Sequence, residues 1–343
     1  MKQPPAILER SPLPVTGPWP TVDPFLFCVH HNDRFPAGDG KLGPKASLAG
    51  RNIGSDFSNR DGWSMYHGDS VPGFPRHPHR GFETVTIVER GLVDHADSLG
   101  AAARYGQGDV QWLTAGDGIN HAEMMPLFET ERDNPLDLYQ IWLNLPAKNK
   151  RVKPRFFMYW GEKIPTMNEK DSSGRGIEIK VIAGTMKVLS ALPPPPDSYA
   201  SSAQGDVGIY SIRLEAGATW ELPAAKAGVN RSLYFVEGRS MSLSGERVRS
   251  RHRYGLEPTA TVSIAATDGA VRLLILDGRP IGEPVVQHGP FVMNTYDEIR
   301  QAVRDYQRTQ FGGWPWPNSG PVHGLEPKRF ARHVDGRVET PPS

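Results

Sequence analysis

Apolar and polar residues alternate along this chain in short runs, each closed by glycine or proline. Phe25 to His30, Phe82 to Glu89, Leu92 to Ser98, Asp109 to Leu113 and Asp137 to Leu145 step by two, the period of a strand with one buried face. A second series follows in Ile177 to Ala183, Ile209 to Leu214, Ser232 to Val236, Thr261 to Ala266 and Val271 to Leu276. Short strands separated by turn residues predict a sandwich or barrel. Helical spacing appears only late. There Thr295-Tyr-Asp-Glu298 forms a capping box, Ile299, Ala302, Val303 and Tyr306 share one stripe, and Gly312-Gly313 closes the helix. The pattern is all-β, with two β-barrel or jelly-roll domains in tandem and a C-terminal α-helix.

Some stretches break the rhythm. Residues 1–20 are proline-rich and read as extended surface chain. Asn32 to Ser70 is polar and glycine-rich, a long loop leading directly to His77, and long loops in compact domains usually carry function. It reads as a lid or rim over a site at His77. Residues 146–176 are charged and punctuated by proline and glycine, which places the boundary between the halves there. The expected division is 1–150, 151–313 and a tail, 314–343, that docks through Trp314-Pro-Trp-Pro317 and then frays.

Composition narrows the class. Thirty-nine basic residues stand against 38 acidic ones, a net charge of +1 that gives no electrostatic footprint for nucleic acid. The patch from Arg247 to Arg253 reads as a solvated loop. Cys28 is the only cysteine, so no intrachain disulfide can form, and its apolar surroundings mark it as a small core residue. The first residues have no apolar core of signal-peptide length, and no window reaches the roughly 20 apolar residues of a membrane span. The expectation is a cytoplasmic monomer.

Chemistry concentrates between Gly73 and Glu123. His77 and His79 are spaced i, i+2, and so are His121 and Glu123. Alternate side chains of a strand share a face, so two such strand ends would aim three imidazoles and a carboxylate at one point. That is a divalent-metal set. Octahedral coordination would leave two open positions, which favours an Fe(II)-type reactive site; tetrahedral closure by the same four would make a structural zinc. Zn, Ni, Mn and Cu all remain open as the ion. Arg80 and Glu83 are candidates to orient the ligands. Asn120, Met124 and Trp112 are candidates to line a pocket, with Trp112 reading better as core. His95, in an alternating strand, reads as a structural histidine.

Three segments, His77-Pro-His-Arg-Gly-Phe-Glu-Thr-Val85, Thr114 to Met124 and Gln287 to Thr295, resemble the pirin family of the cupin superfamily, over about Pro18 to Gly313. The resemblance implies a bicupin fold and one iron per chain, bound by the residues at His77, His79, His121 and Glu123. The general cupin pattern takes its carboxylate from the position of Glu83, which is therefore the second choice. Some pirins cleave the flavonol quercetin in a 2,3-dioxygenase reaction that releases carbon monoxide. The implied function is that of an oxygenase taking a hydroxylated, flavonol-like substrate and dioxygen, with Glu123 also the catalytic base. Other pirins are metal-dependent, redox-sensing partners of transcription factors or metabolic enzymes, the alternative reading. Thr114 stands where the general cupin motif usually has proline, a change the pirin version tolerates, while Arg90 replaces a glycine of many pirins and the Asn32–Ser70 loop and the tail are longer than in compact pirins.

The halves also resemble each other. Thr86 to Gly91 matches Leu233 to Gly238, and Ala115 to Gly118 matches Ala266 to Gly269. This alignment sets Ala225 and Ala227 opposite His77 and His79, and Arg272 and Leu274 opposite His121 and Glu123. A single metal per chain follows.

Overall fold

Burial of the alternate residues closes two sheets over one core in residues 29–163 and 283–343, one of two compact units in the computed structural model, which describes residues 6–342. The six-stranded sheet runs Val338–Glu339, Phe330–Arg332, Ala102–Gly106, Leu92–Asp97, Ile119–Met124, Gly73–His79. The five-stranded sheet runs Arg155–Tyr159, Asp109–Thr114, Phe82–Arg90, Asn134–Asn144, Phe25–Phe35. Val93, Ala103, Tyr105 and Ile119 from the first share a core with Val88, Leu113, Leu138 and Phe156 from the second.

The other unit, residues 1–28 and 164–282, repeats the pairing scheme. Thr219–Leu222, Val262–Asp268, Ser240–Leu243 and Glu246–Val248 pair in the order of Gly73–His79, Ile119–Met124, Leu92–Asp97 and Ala102–Gly106. His252–Leu256, Asn230–Glu237, Val271–Gly278 and Gly208–Leu214 repeat the second sheet, which Ile7–Pro12 extends at one edge and Gly176–Ala183 followed by Thr166–Lys170 at the other. Its interior is apolar, with Trp220, Leu222, Met241 and Ile264 packed against Ile179, Phe235 and Leu273. The all-β plan of two cupin barrels therefore holds, and among the described residues the only α-helix is Tyr296–Thr309.

The units are cut differently from the expected 1–150, 151–313 and 314–343. The first 28 residues join 164–282, and the helix and tail belong with 29–163. The physical reason is pairing and packing: Ile7–Pro12 zips onto His252–Leu256, while the helix buries Ile299 and Ala302 with Phe291, Met293 and Phe311. Other local expectations also shift. The first strand runs on to Phe35. Arg253, read as part of a solvated loop, is buried in a strand and donates to Ser232 and Glu9. The tail does not simply fray, because Phe330–Arg332 pairs along Ala102–Gly106 and Val338–Glu339 pairs with it in turn.

The long loop is held by a compact network. Arg51 donates to Asp56 and to the Trp63 carbonyl, with its guanidinium 3.5 Å above the Trp63 ring. Asp33 accepts from the Ser64 amide and the Tyr66 hydroxyl, and the Tyr66 ring stacks on Phe74.

Candidate metal centre

Backbone register brings the histidines together. Gly73–His79 and Ile119–Met124 are antiparallel neighbours, and His77 stands directly opposite His121. His79 is two residues on, so its side chain returns to the same face. Ring centroids are 4.3 Å apart for His77 and His121, 4.8 Å for His79 and His121, and 4.8 Å for His77 and His79. One ligand nitrogen from each lies within 4.8 Å of the other two. The strand entry needs glycine at Gly73, where φ is +139° and a Cβ would lie 2.4 Å from the Glu123 carbonyl.

The electrostatics suit a cation. Burial lowers His77 to about 4 and pushes His79 and His121 well below the ordinary imidazole range, against a weak opposing influence of the Pro290 carbonyl on His79. All three are thus neutral, the form that binds metals. His77 Nδ1 lies 2.9 Å from the Pro75 carbonyl, which fixes its proton there and leaves Nε2 free. Neither ring nitrogen of His79 or of His121 has a hydrogen-bond partner of normal geometry. Buried donors and acceptors without partners are costly, and a coordinated ion would satisfy one nitrogen on each ring. The residues fit a metal.

Glu123 stands beside this cluster, with Oε2 3.9 Å from His121 Nε2. The carboxylate accepts from Gln140 Nε2 at 2.7 Å and from the Thr86 hydroxyl at 3.3 Å. Burial raises its pKa, while His95, Gln140 and Thr86 work against that rise. Glu83 is elsewhere. It lies three residues from Thr86 on the same strand, hence on the opposite face, where the Thr114 hydroxyl donates to it.

Alternation also decides the neighbours. Asn120 and Met124 point away from His121 and Glu123: Asn120 donates to the Gln310 and Gly313 carbonyls, and Met124 packs with Leu42 and Val71. Trp112 is core, as expected. Arg80 meets Asp305 of the helix at 2.8 Å and donates to the Asp117 carbonyl. His95 is closer to the centre than a structural histidine needs to be, with its ring 5.7 Å from His121 and Nε2 3.2 Å from Asp97. The residues missed from sequence are Gln140, Trp142 and Thr86. The signal was a glutamine in an otherwise apolar strand, Leu138-Tyr-Gln-Ile-Trp-Leu143.

In the repeated unit, the strands equivalent to the pair that carries the three histidines are Thr219–Leu222 and Val262–Asp268. Pairing register, with Trp220 opposite Ile264 as His77 is opposite His121, sets Trp220, Leu222, Ile264 and Ala266 where His77, His79, His121 and Glu123 stand. The sequence alignment slipped by one strand, since Arg272 and Leu274 belong to Val271–Gly278. The corrected positions are all apolar.

Residues 21–143 match the family model for pirin, and residues 209–312 match that for the pirin C-terminal cupin domain. A provisionally named quercetin 2,3-dioxygenase of Pseudomonas aeruginosa is 37% identical over 247 residues, 70% of this chain and 80% of that protein. A pirin-like protein of Caulobacter vibrioides is 36% identical over 244 residues, 71% of this chain and 82% of its own. Human pirin is 34% identical over 272 residues, 76% of this chain and 87% of its own. A crystal structure of quercetin 2,3-dioxygenase from Acinetobacter baumannii superposes with TM-score 0.70 at 24% identity, covering 90% of this chain and 98% of that one.

Proposed function

The chain belongs to the pirin family, and on that premise we propose that it is a mononuclear iron protein with oxygenase activity of the quercetin 2,3-dioxygenase type. One observation carries the reading: three neutral imidazoles, His77 half-buried and His79 and His121 buried, converge beside a buried acid, and neither nitrogen of His79 or His121 has a hydrogen-bond partner of normal geometry. His77, His79, His121 and Glu123 would hold one Fe(II). When bound, such an ion supplies positive charge for an oxyanion and open positions for substrate and dioxygen.

The chain's own groups then have definite tasks. His77 is oriented by the Pro75 carbonyl. Glu123, its pKa raised by burial, is a stronger base than a solvated carboxylate and is placed to accept the proton of a substrate hydroxyl. A hydroxylated aromatic compound is the substrate class, supported by the name given to the Pseudomonas relative.

Anaerobic loading with Fe(II), metal analysis and oxygen uptake with quercetin and unrelated catechols test the proposal. The expected result is one metal per chain, oxygen consumption and carbon monoxide release with quercetin. At saturating Fe(II), Glu123→Gln is expected to remain metal-loaded through the three histidines while turnover falls roughly 100-fold or more. Full metal occupancy without oxygen uptake on any of these compounds would reject the enzyme and favour a metal-dependent binding protein.

A further inference from the structure

We propose that Gln140, itself set by Trp142, is a positioning residue that presents the Glu123 carboxylate to the three-histidine centre; this rests on the metal reading above. Gln140 and Trp142 are two residues apart on Asn134–Asn144, so both side chains leave the same face of the strand. In register they stand opposite Thr86 and Thr84 on Phe82–Arg90. Three groups of the five-stranded sheet, Thr86, Gln140 and Trp142, thus form a chain ending at Glu123, a residue of the other sheet.

Hydrogen-bond direction fixes the arrangement. An indole N–H can only donate, so Gln140 must offer Trp142 its carbonyl oxygen, Oε1, at 3.3 Å. Its amide nitrogen is then committed to Glu123 Oε2 at 2.7 Å, and that nitrogen can only donate. Glu123 must therefore accept on Oε2, as a carboxylate does. The same indole packs edge-on to His79 at 5.2 Å and stacks on Phe82 at 4.2 Å. One arm touches both a histidine of the first ligand strand and the acid of the second. A carboxylate held this way cannot swing freely about its own torsions, so the ordering cost of bringing it to a cation falls.

The test uses Co(II) as probe, titrated anaerobically into the full-length protein and followed by its visible absorption. Gln140→Leu removes the donor at similar volume and is expected to weaken Co(II) binding 10- to 100-fold, with the melting temperature of the metal-free protein unchanged. Trp142→Phe keeps the ring against His79 but frees the amide, and a smaller loss in the same direction is expected. In a Glu123→Ala background, Gln140→Leu should have no further effect, because the residue acts only through the acid. Unchanged Co(II) affinity in Gln140→Leu overturns the proposal, and so does a loss that persists in the Glu123→Ala background. A His121→Ala control separates the two levels. If the parent binds Co(II) no better than that variant, the metal centre itself is wrong and this inference falls with it.

Discussion

At Asp33 burial and charge are directly opposed. It is 2% exposed, it accepts from Ser64 and Tyr66 of the long loop, and burial raises it to about 7. The folded protein therefore keeps a proton that the unfolded chain releases near pH 4, so this group's contribution to stability declines as pH climbs from about 4 to about 7. His31, hydrogen-bonded to Tyr66 and lowered to about 3, acts in the opposite sense: its contribution is lost as pH falls below 6.5. Asp33→Asn removes the first effect and leaves the second. The variant should gain stability relative to the parent between pH 5 and pH 8, by on the order of 2–3 kcal/mol. Melting curves at both pH values check this, and an equal gap at the two would show that the charge is not strained. At this scale the convergence of the three histidines was legible, because i, i+2 pairs declare their own geometry on strands. His95, Gln140 and Trp142 were not. Their roles arise from neighbours on other strands, and pairing register is written in no single segment.

Among the elements, the helix Tyr296–Thr309 shows what local sequence can and cannot specify. Its capping box was readable and is present, with Thr295 accepting from the Glu298 amide and Glu298 receiving the Thr295 amide in return. Its destination was not readable, since Asp305 meets Arg80 across 225 residues of chain. Arg80 follows His79 immediately, so the helix steadies the end of the strand Gly73–His79 through that pair, and the Phe311 ring just beyond the helix lies 4.6 Å from the guanidinium. Asp305→Ala should destabilise the protein by about 3 kcal/mol, the low end for stranding a buried charge, because Asp117 still faces Arg80. Asp305→Asn should cost less. Urea unfolding of both variants decides whether the pair matters as charge or as packing.

The whole molecule is a duplicated pairing scheme with one chemically equipped copy. Where His77, His79, His121 and Glu123 stand in one unit, Trp220, Leu222, Ile264 and Ala266 stand in the other. The repeat itself was visible from matching turn motifs. The unit boundaries were not, because strand pairing and helix packing, not composition, assign residues 1–28 and 283–343. Metal titration should saturate at one ion per chain, and a second strongly bound equivalent would contradict the apolar assignment of the repeated copy. The interrupted unit has a further consequence during synthesis. At a ribosomal rate of roughly 5–20 residues per second, residues 29–163 must wait several seconds while the next roughly 120 are made, before the strands and helix of 283–343 emerge. The intervening barrel can complete itself first. A nascent chain released at residue 282 would then carry one finished barrel and one that still lacks its helix and the edge strands Phe330–Arg332 and Val338–Glu339, so the unit that holds the three histidines is the last to be completed in the birth of the protein.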